Sequence, residues 1–254
     1  MVATKASVAF VFGGTLSFLV QKLVQQKAHL YLDMEATRRA DAVHAEETDR
    51  LVLLLHRRAG MKEIYESDRE RAVHKQPYAA DIKREVGETR TLKLLSIAGY
   101  EFLGRGYKSL LYAQLEASPH IGVEVVLLLN EPSTSWVIES RRKQLLKQYP
   151  DYTGDQIRRE ITATIETLKQ LKRMREAQNA ATVQAYAIDH HPVFRLLILD
   201  DWLFMSAYQD ECHGHESAML RFERVDEDSE RVSLYSAYYS YFENLRIGAK
   251  PIPL

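Results

Sequence analysis

Three places in the chain put charged or nucleophilic side chains where chemistry could follow. The first is Arg195, the one charge inside the aliphatic run Phe194–Leu199 (FRLLIL). A guanidinium in such a run is costly unless something pairs with it, and its planar fork suits a carboxylate or a phosphate. Two partners stay open: Asp200, five positions on, or a bound anion. The second place is His190-His191, directly before Pro192, where an imidazole could act as nucleophile. The third is Glu211-Cys212-His213-Gly214-His215-Glu216. His213 and His215, flanked by thiol and carboxylates, could hold zinc or another transition metal. Without a second ligand pair elsewhere, the segment reads first as a polar loop. Cys212 has no identifiable base to activate it, and His29, His44, His56 and His74 are too scattered to form a metal set. No cofactor is implied by any of these patterns.

Composition narrows the classes. Lys+Arg 34 against Asp+Glu 35 gives a net charge of −1, which removes any bulk electrostatic case for nucleic acid as a partner. A single cysteine excludes an internal disulfide and fits a reducing compartment. At 254 residues there is length for one sizeable domain and additional segments.

The elements that must position these groups come in three blocks. Residues 6–21 (ASVAFVFGGTLSFLVQ) carry no charge and are flanked by Lys5 and Lys22. Spanning hydrocarbon takes about 20 residues, a length reached only if both lysines snorkel and Leu23-Val24 contribute. The expectation is a membrane anchor over 1–24. The alternatives are a buried strand turning at Gly13-Gly14, and a cleaved signal. Lys22, Lys27, Arg38 and Arg39 then leave the body on the cytoplasmic side of the cell membrane. Residues 25–78 read as a helical stalk, amphipathic but without sustained heptads, with a break at Gly60. Residues 79–254 read as an α/β domain. Thr91–Ala98 is expected as a strand, Leu103–Glu116 as a helix and Val123–Leu129 as a second strand, a parallel unit whose ligands would sit past Gly99-Tyr100 and Asn130-Glu131. The stretch 135–178 reads as helix. Its segment 139–176 carries ten basic and six acidic residues, a net +4, most simply a solvated face with Arg141 and Arg142 available to an anion. The stretch Thr182–Tyr208 reads as a strand, a turn at 189–192 and a buried strand from Phe194. A further strand over 218–224 precedes a closing helix. The aromatic stripe Tyr235, Tyr238, Tyr239 and Phe242 on that helix has the spacing of a core face.

Taken together, TLKLLSIAGY, HIGVEVVLLLNEP, the paired strands VQAYAIDHHPVFRLLILDD and the closing YYSYFENLR resemble one half of a phospholipase D-like domain, over about 89–246. The likeness is to the short, divergent versions attached to bacterial regulators and membrane anchors. The resemblance implies a mixed sheet flanked by helices, and two halves meeting in a homodimer or higher homo-oligomer. The family's reaction needs His-x-Lys with an Asp five places after the Lys. Here those positions hold Val193, Arg195 and Asp200, and of the small polar residues that follow only Ser206 is kept. Valine cannot attack phosphorus. The resemblance therefore implies a non-catalytic, membrane-anchored module. Arg195, Asp200, Ser206, Arg141 and Arg142 would receive an anionic, phosphate-bearing ligand, or a protein partner, in a sensing or effector role. The alternative is a homodimeric phosphodiesterase, a phospholipase or nuclease, with His190 or His191 as an unorthodox nucleophile.

Overall fold

The computed structural model describes residues 60–66, 73–104, 109–146, 148–208, 216–225 and 233–254. The segments 1–24 and most of 25–78 lie outside these residues, as do His213, His215 and Cys212. Among the described residues, no helix is long and apolar enough to cross a membrane.

The centre is a strand that could not face water on either side. β5 (Phe194–Leu199) is buried at all six positions, as an apolar run without alternation demands. It pairs antiparallel with β2 (Thr91–Leu95) on one side and with β6 (Trp202–Ala207) on the other. The full sheet adds β1 (Met61–Tyr65), β3 (Gly122–Leu128), β4 (Val183–Ile188), β7 (Met219–Glu223) and β8 (Lys250–Pro251). Its order is β1-β7-β6-β5-β2-β3-β4-β8. The unit β2–β3 is parallel, and β4 extends it in parallel. The architecture is thus mixed α/β with an eight-stranded mixed sheet.

Alternate residues of the strands feed opposite faces, as the pleat requires. Leu92, Leu94, Val123, Val125, Leu197 and Leu199 pack under α1 (Ala79–Glu88), α2 (Tyr100–Leu103), α3 (Tyr112–Ala117) and α5 (Gly154–Ala177). Leu95, Val126, Leu196 and Ile198 pack under α6 (Leu234–Gly248), whose Tyr235, Tyr238 and Phe242 are core residues, as their spacing predicts. A third cluster sits at the carboxyl end of β2 and β3. There α4 (Ser135–Leu145) and the start of α5 close over Ile97, Ala98 and Leu128.

Three expectations change. Met61–Tyr65, within the stretch read as stalk, is a strand of the sheet, paired with β7 around a register shift. The helix expected over 103–116 is instead two short ones, α2 and α3. Gly104 explains part of the break, since a Cβ there would lie 2.5 Å from the Tyr100 carbonyl oxygen. Finally, β4 and β5 are not hairpin partners, for β3 and β2 lie between them. Asp189–Val193 must cross about three strand spacings, ~14 Å, on a tether that reaches roughly 18–20 Å when extended. It therefore passes over the carboxyl ends of β3 and β2 with some length to spare. The true hairpin is β5–β6, closed by Asp200-Asp201 with Leu199 opposite Trp202.

Candidate functional site

Arg195 lies directly across the ladder from Ser206, and only 2% of it is exposed. Its Nε donates to Ser206 Oγ at 3.0 Å, and Nη1 meets Glu101 Oε2 at 2.6 Å. The guanidinium carbon stands 4.9 Å from the centre of the Phe102 ring. Glu101 and Phe102 arrive together because only four residues separate the end of β2 from the start of α2. Gly99 makes that start possible: its φ of +69° is a left-handed conformation, and a Cβ there would meet Leu127, Thr164 and Leu94 at 3.2–3.5 Å. The buried charge thus has a partner, but one the sequence did not single out.

Glu101 opens onto a cleft at the carboxyl end of β2, also lined by Ser96, Tyr100, Arg141, Tyr152, Glu160 and Tyr208. Its volume is about 50 Å³. A water-sized group needs at least about 10–15 Å³ of such volume, so roughly four fit. Ligand pockets for drug-sized molecules are several times larger, about 300–1,000 Å³. Arg141, Glu101 and Glu160 are charged groups of its wall, and Arg195 is buried behind Glu101. Tyr208 ties the walls together. Its hydroxyl accepts from the Ile97 N–H at 2.9 Å and shares a hydrogen bond with Ser96 Oγ at 3.0 Å, while Arg141 stacks on its ring at 5.4 Å. Burial pushes the Tyr208 phenol up, opposed by the nearby Arg195 charge. Tyr78, fully buried beside Arg195, is pushed up to about 12, chiefly by burial. Tyr152 donates to Glu160 Oε2 at 3.2 Å. Burial first, then the Glu160 charge, raises its pKa, with Glu101 adding to the rise and Arg141 opposing it. These phenols stay protonated hydrogen-bonding groups at neutral pH.

The sequence-selected residues divide. Arg195, Ser206 and Arg141 share this region. Asp200 does not: it stands at the opposite end of β5, about 17 Å along the strand from Arg195, so the two cannot pair. Its carboxylate accepts from Arg90 N (2.7 Å), Thr91 N (3.0 Å) and Thr91 Oγ1 (2.6 Å). Burial would raise the Asp200 pKa, but these hydrogen bonds outweigh it and hold the carboxyl below its usual range. With φ at +26°, Asp200 is a turn residue that staples the hairpin to the start of β2. Arg142 is occupied by Glu139, one turn back on α4. Val193, at the position the family's nucleophile would take, is 52% exposed. His190 Nδ1 is 3.1 Å from Asp189 Oδ1 on the crossing tether. His191 donates from Nδ1 to the Pro192 carbonyl (2.7 Å) and meets the Tyr208 ring edge-on at 5.6 Å. No group of His, Cys, Asp and Glu able to hold a metal occurs among the described residues.

The sequence matches no protein-family model and no curated protein. Among solved structures that superpose is TrmBL2, an archaeal chromatin protein described as showing a novel mode of DNA binding, at 11% identity and a TM-score of 0.39. The superposition covers 93% of this chain and 69% of that one. At so low a score nothing about this protein follows from it.

Glu101, Tyr152, Glu160 and Tyr208 were not singled out from the sequence. A signal for Glu101 existed: it is the first acid after a strand whose carboxyl end was expected to carry the site, and Arg195 required a partner. Tyr152 and Glu160 had none, because their meeting depends on how α4 and α5 fold over the sheet.

Proposed function

We propose that this chain is a non-catalytic recognition module, built on the plan of half a phospholipase D-like domain and tethered to the cell membrane by its N-terminal segment. It binds a small ligand with an anionic group at the cleft beside α2. The observation that carries the reading is the state of Arg195. A desolvated guanidinium is held in fixed orientation by Ser206, and its Nη1 meets a carboxylate that is itself 29% exposed on a four-residue helix. A ligand carboxylate or phosphate can replace that carboxylate with little change to the buried side, because the fork already holds the geometry an oxyanion needs. Val193 supports the absence of turnover, having no atom able to attack phosphorus. The ligand, or a homo-oligomer it stabilises, would then be reported across the membrane.

The test pairs calorimetric titration with a hydrolysis assay. Phosphate, acetate and nucleoside monophosphates are titrated into the full chain in detergent, and the same samples are offered a chromogenic phosphodiester. Binding that disappears in Arg195→Lys, with no hydrolysis, is the expected result. Turnover of the diester would overturn it.

One observation favours a phosphodiesterase instead: the Asp189 carboxylate beside His190 is placed as an orienting carboxylate would be. Under that reading, wild type hydrolyses diesters and the double variant His190→Ala/His191→Ala does not.

A further inference from the structure

In a parallel unit ligands gather past the carboxyl ends of the strands. The cleft beside α2 lies past β2, and the end of β3 holds a separate group of polar side chains. Asn130, two residues beyond β3, accepts from Arg158 Nη1 through its Oδ1 at 3.0 Å. Its Nδ2 donates to Thr162 Oγ1 at 3.2 Å and to the Arg158 carbonyl at 3.4 Å, which fixes the amide. Arg158 Nη2 donates to Ser135 Oγ at 2.8 Å, at the start of α4. The guanidinium is thus held from two sides by neutral groups. That sets it apart from Arg84, Arg142, Arg195, Arg221 and Arg246, each of which meets a carboxylate. Arg158 has no ion pair among the described residues. An arginine serving only to tie α5 to α4 would gain from a carboxylate at 130 or 135, since paired arginine–carboxylate bonds are the strong ones. Asn130 and Ser135 instead fix the fork and leave its charge uncompensated.

We propose that Arg158 and Ser135 form a second anion subsite, past the end of β3, that takes the phosphate group of a phosphomonoester. The guanidinium carries five N–H donors, and the two bonds to Asn130 and Ser135 leave the others for a ligand. Ser135 accepts through Oγ and keeps its own O–H to donate. Donors in excess of two suit the three terminal oxygens of a phosphate better than the pair on a carboxylate. Arg158 is only partly buried and Ser135 is exposed, so a small anion reaches both. The subsite shares no residue with the cleft beside α2, and it does not depend on how Arg195 is occupied.

The experiment reads Arg158 itself. The full chain in detergent is labelled with phenylglyoxal, which modifies accessible guanidinium groups, and mass spectrometry follows Arg158 and its exposed neighbour Arg159. Ribose 5-phosphate, glycerol 3-phosphate and acetate are compared at equal ionic strength. The two phosphates separate a sugar-phosphate source from a lipid-headgroup source of the same chemistry. The expected result is that at least one of them, at several times its Kd, slows labelling of Arg158 by about fivefold, as mass action requires. Acetate should protect less, and Arg159 should label at an unchanged rate. Ser135→Asp sets a carboxylate against the fork. It should keep or raise the thermal midpoint, slow labelling of Arg158 without any ligand, and abolish further protection by phosphate. Arg195→Lys disables the cleft and should leave the protection of Arg158 intact. If neither phosphomonoester protects Arg158 beyond acetate, or if Arg158 resists labelling in every condition, the subsite is refuted and recognition at Arg195 is untouched. Protection that vanishes in Arg195→Lys would place the anion in the cleft and equally overturn the inference.

Discussion

At the scale of single residues, two of the charged groups in the strand pair β5–β6 do opposite work. Arg195 is buried behind Glu101, which lines the cleft, whereas Asp200 clamps the far end of the same strand. The distinction can be measured in each case. Asp200→Ala removes an acceptor for two backbone amides and a hydroxyl, and is expected to cost about 2 kcal/mol after allowance for partial solvent exposure, without altering ligand binding. Because the carboxyl is held below its usual range when folded, its contribution is present above the unfolded pKa of about 3.9 and disappears as pH falls through the lower folded value. Urea unfolding at pH 7 and at pH 3 should therefore show a large gap between wild type and Asp200→Asn at pH 7 that narrows at pH 3; a gap that widens on acidification would refute the clamp. The Arg195–Glu101 pair makes an asymmetric prediction. Truncating Glu101 to Ala strands a guanidinium that is 2% exposed, which costs about 3 kcal/mol or more. Truncating Arg195 to Met leaves a carboxylate that can turn into the cleft and meet water, so the loss should be about half as large. Equal losses in urea midpoints would show that Glu101 is as trapped as its partner.

At the scale of elements, the site depends on how sharply the chain leaves β2. Gly99 turns into α2 with positive φ, and that turn aims Glu101 at Arg195. Gly99→Ala places a Cβ in a left-handed residue against Leu127. The expected loss is about 1–2 kcal/mol, read as a fall of a few degrees in thermal midpoint, with a greater loss of anion affinity than Gly87→Ala, where a Cβ has nothing within 4 Å. The elements also show what a sequence can disclose. β5 was legible because five large apolar residues around Arg195, without alternation, admit few readings, and the parallel unit β2–β3 because strand, short helix and strand within forty residues leave one economical topology. β1 was hidden. Met61–Tyr65 is buried at its two ends and open between them, without strict alternation, in a register that shifts after Met61, and its neighbours in sequence look helical. The false hairpin has a related cause: a five-residue tether containing Pro192 resembles a turn, and only the sheet order reveals that it spans two strands. The candidate site was half legible for the same reason. Arg195 and Ser206 are cross-strand neighbours within one hairpin, whereas Glu101, Tyr152 and Glu160 join them through packing between separated elements.

At the scale of the whole molecule, the sheet's two edges are finished differently. β4 is covered by β8, where Lys250 and Pro251 pair with Ala187 and Tyr186, and a proline on an edge discourages further strands. At the other side β1 covers β7, with Gly60 admitted at φ +72° because a Cβ would lie 2.8 Å from the Glu223 carbonyl. Two truncations separate the roles of the N-terminal region. Removing residues 1–24 tests the membrane tether. The shortened chain should move from the membrane fraction to the soluble one and keep its circular dichroism and thermal midpoint, whereas a truncated chain that unfolds would show residues 1–24 to be part of the packed body. Removing residues 1–66 goes further and takes away β1. That deletion bares the ladder groups of β7 and uncovers Phe222 and Leu220, both buried at 2% exposure or less. An edge strand bared of its neighbour together with buried apolar side chains pairs with other chains, so this form should sediment as aggregates or high oligomers under conditions where the 1–24 deletion remains dispersed. A monomeric, cooperatively folding 67–254 fragment would mean that β1 is dispensable and that the domain proper starts with α1, as the sequence suggested.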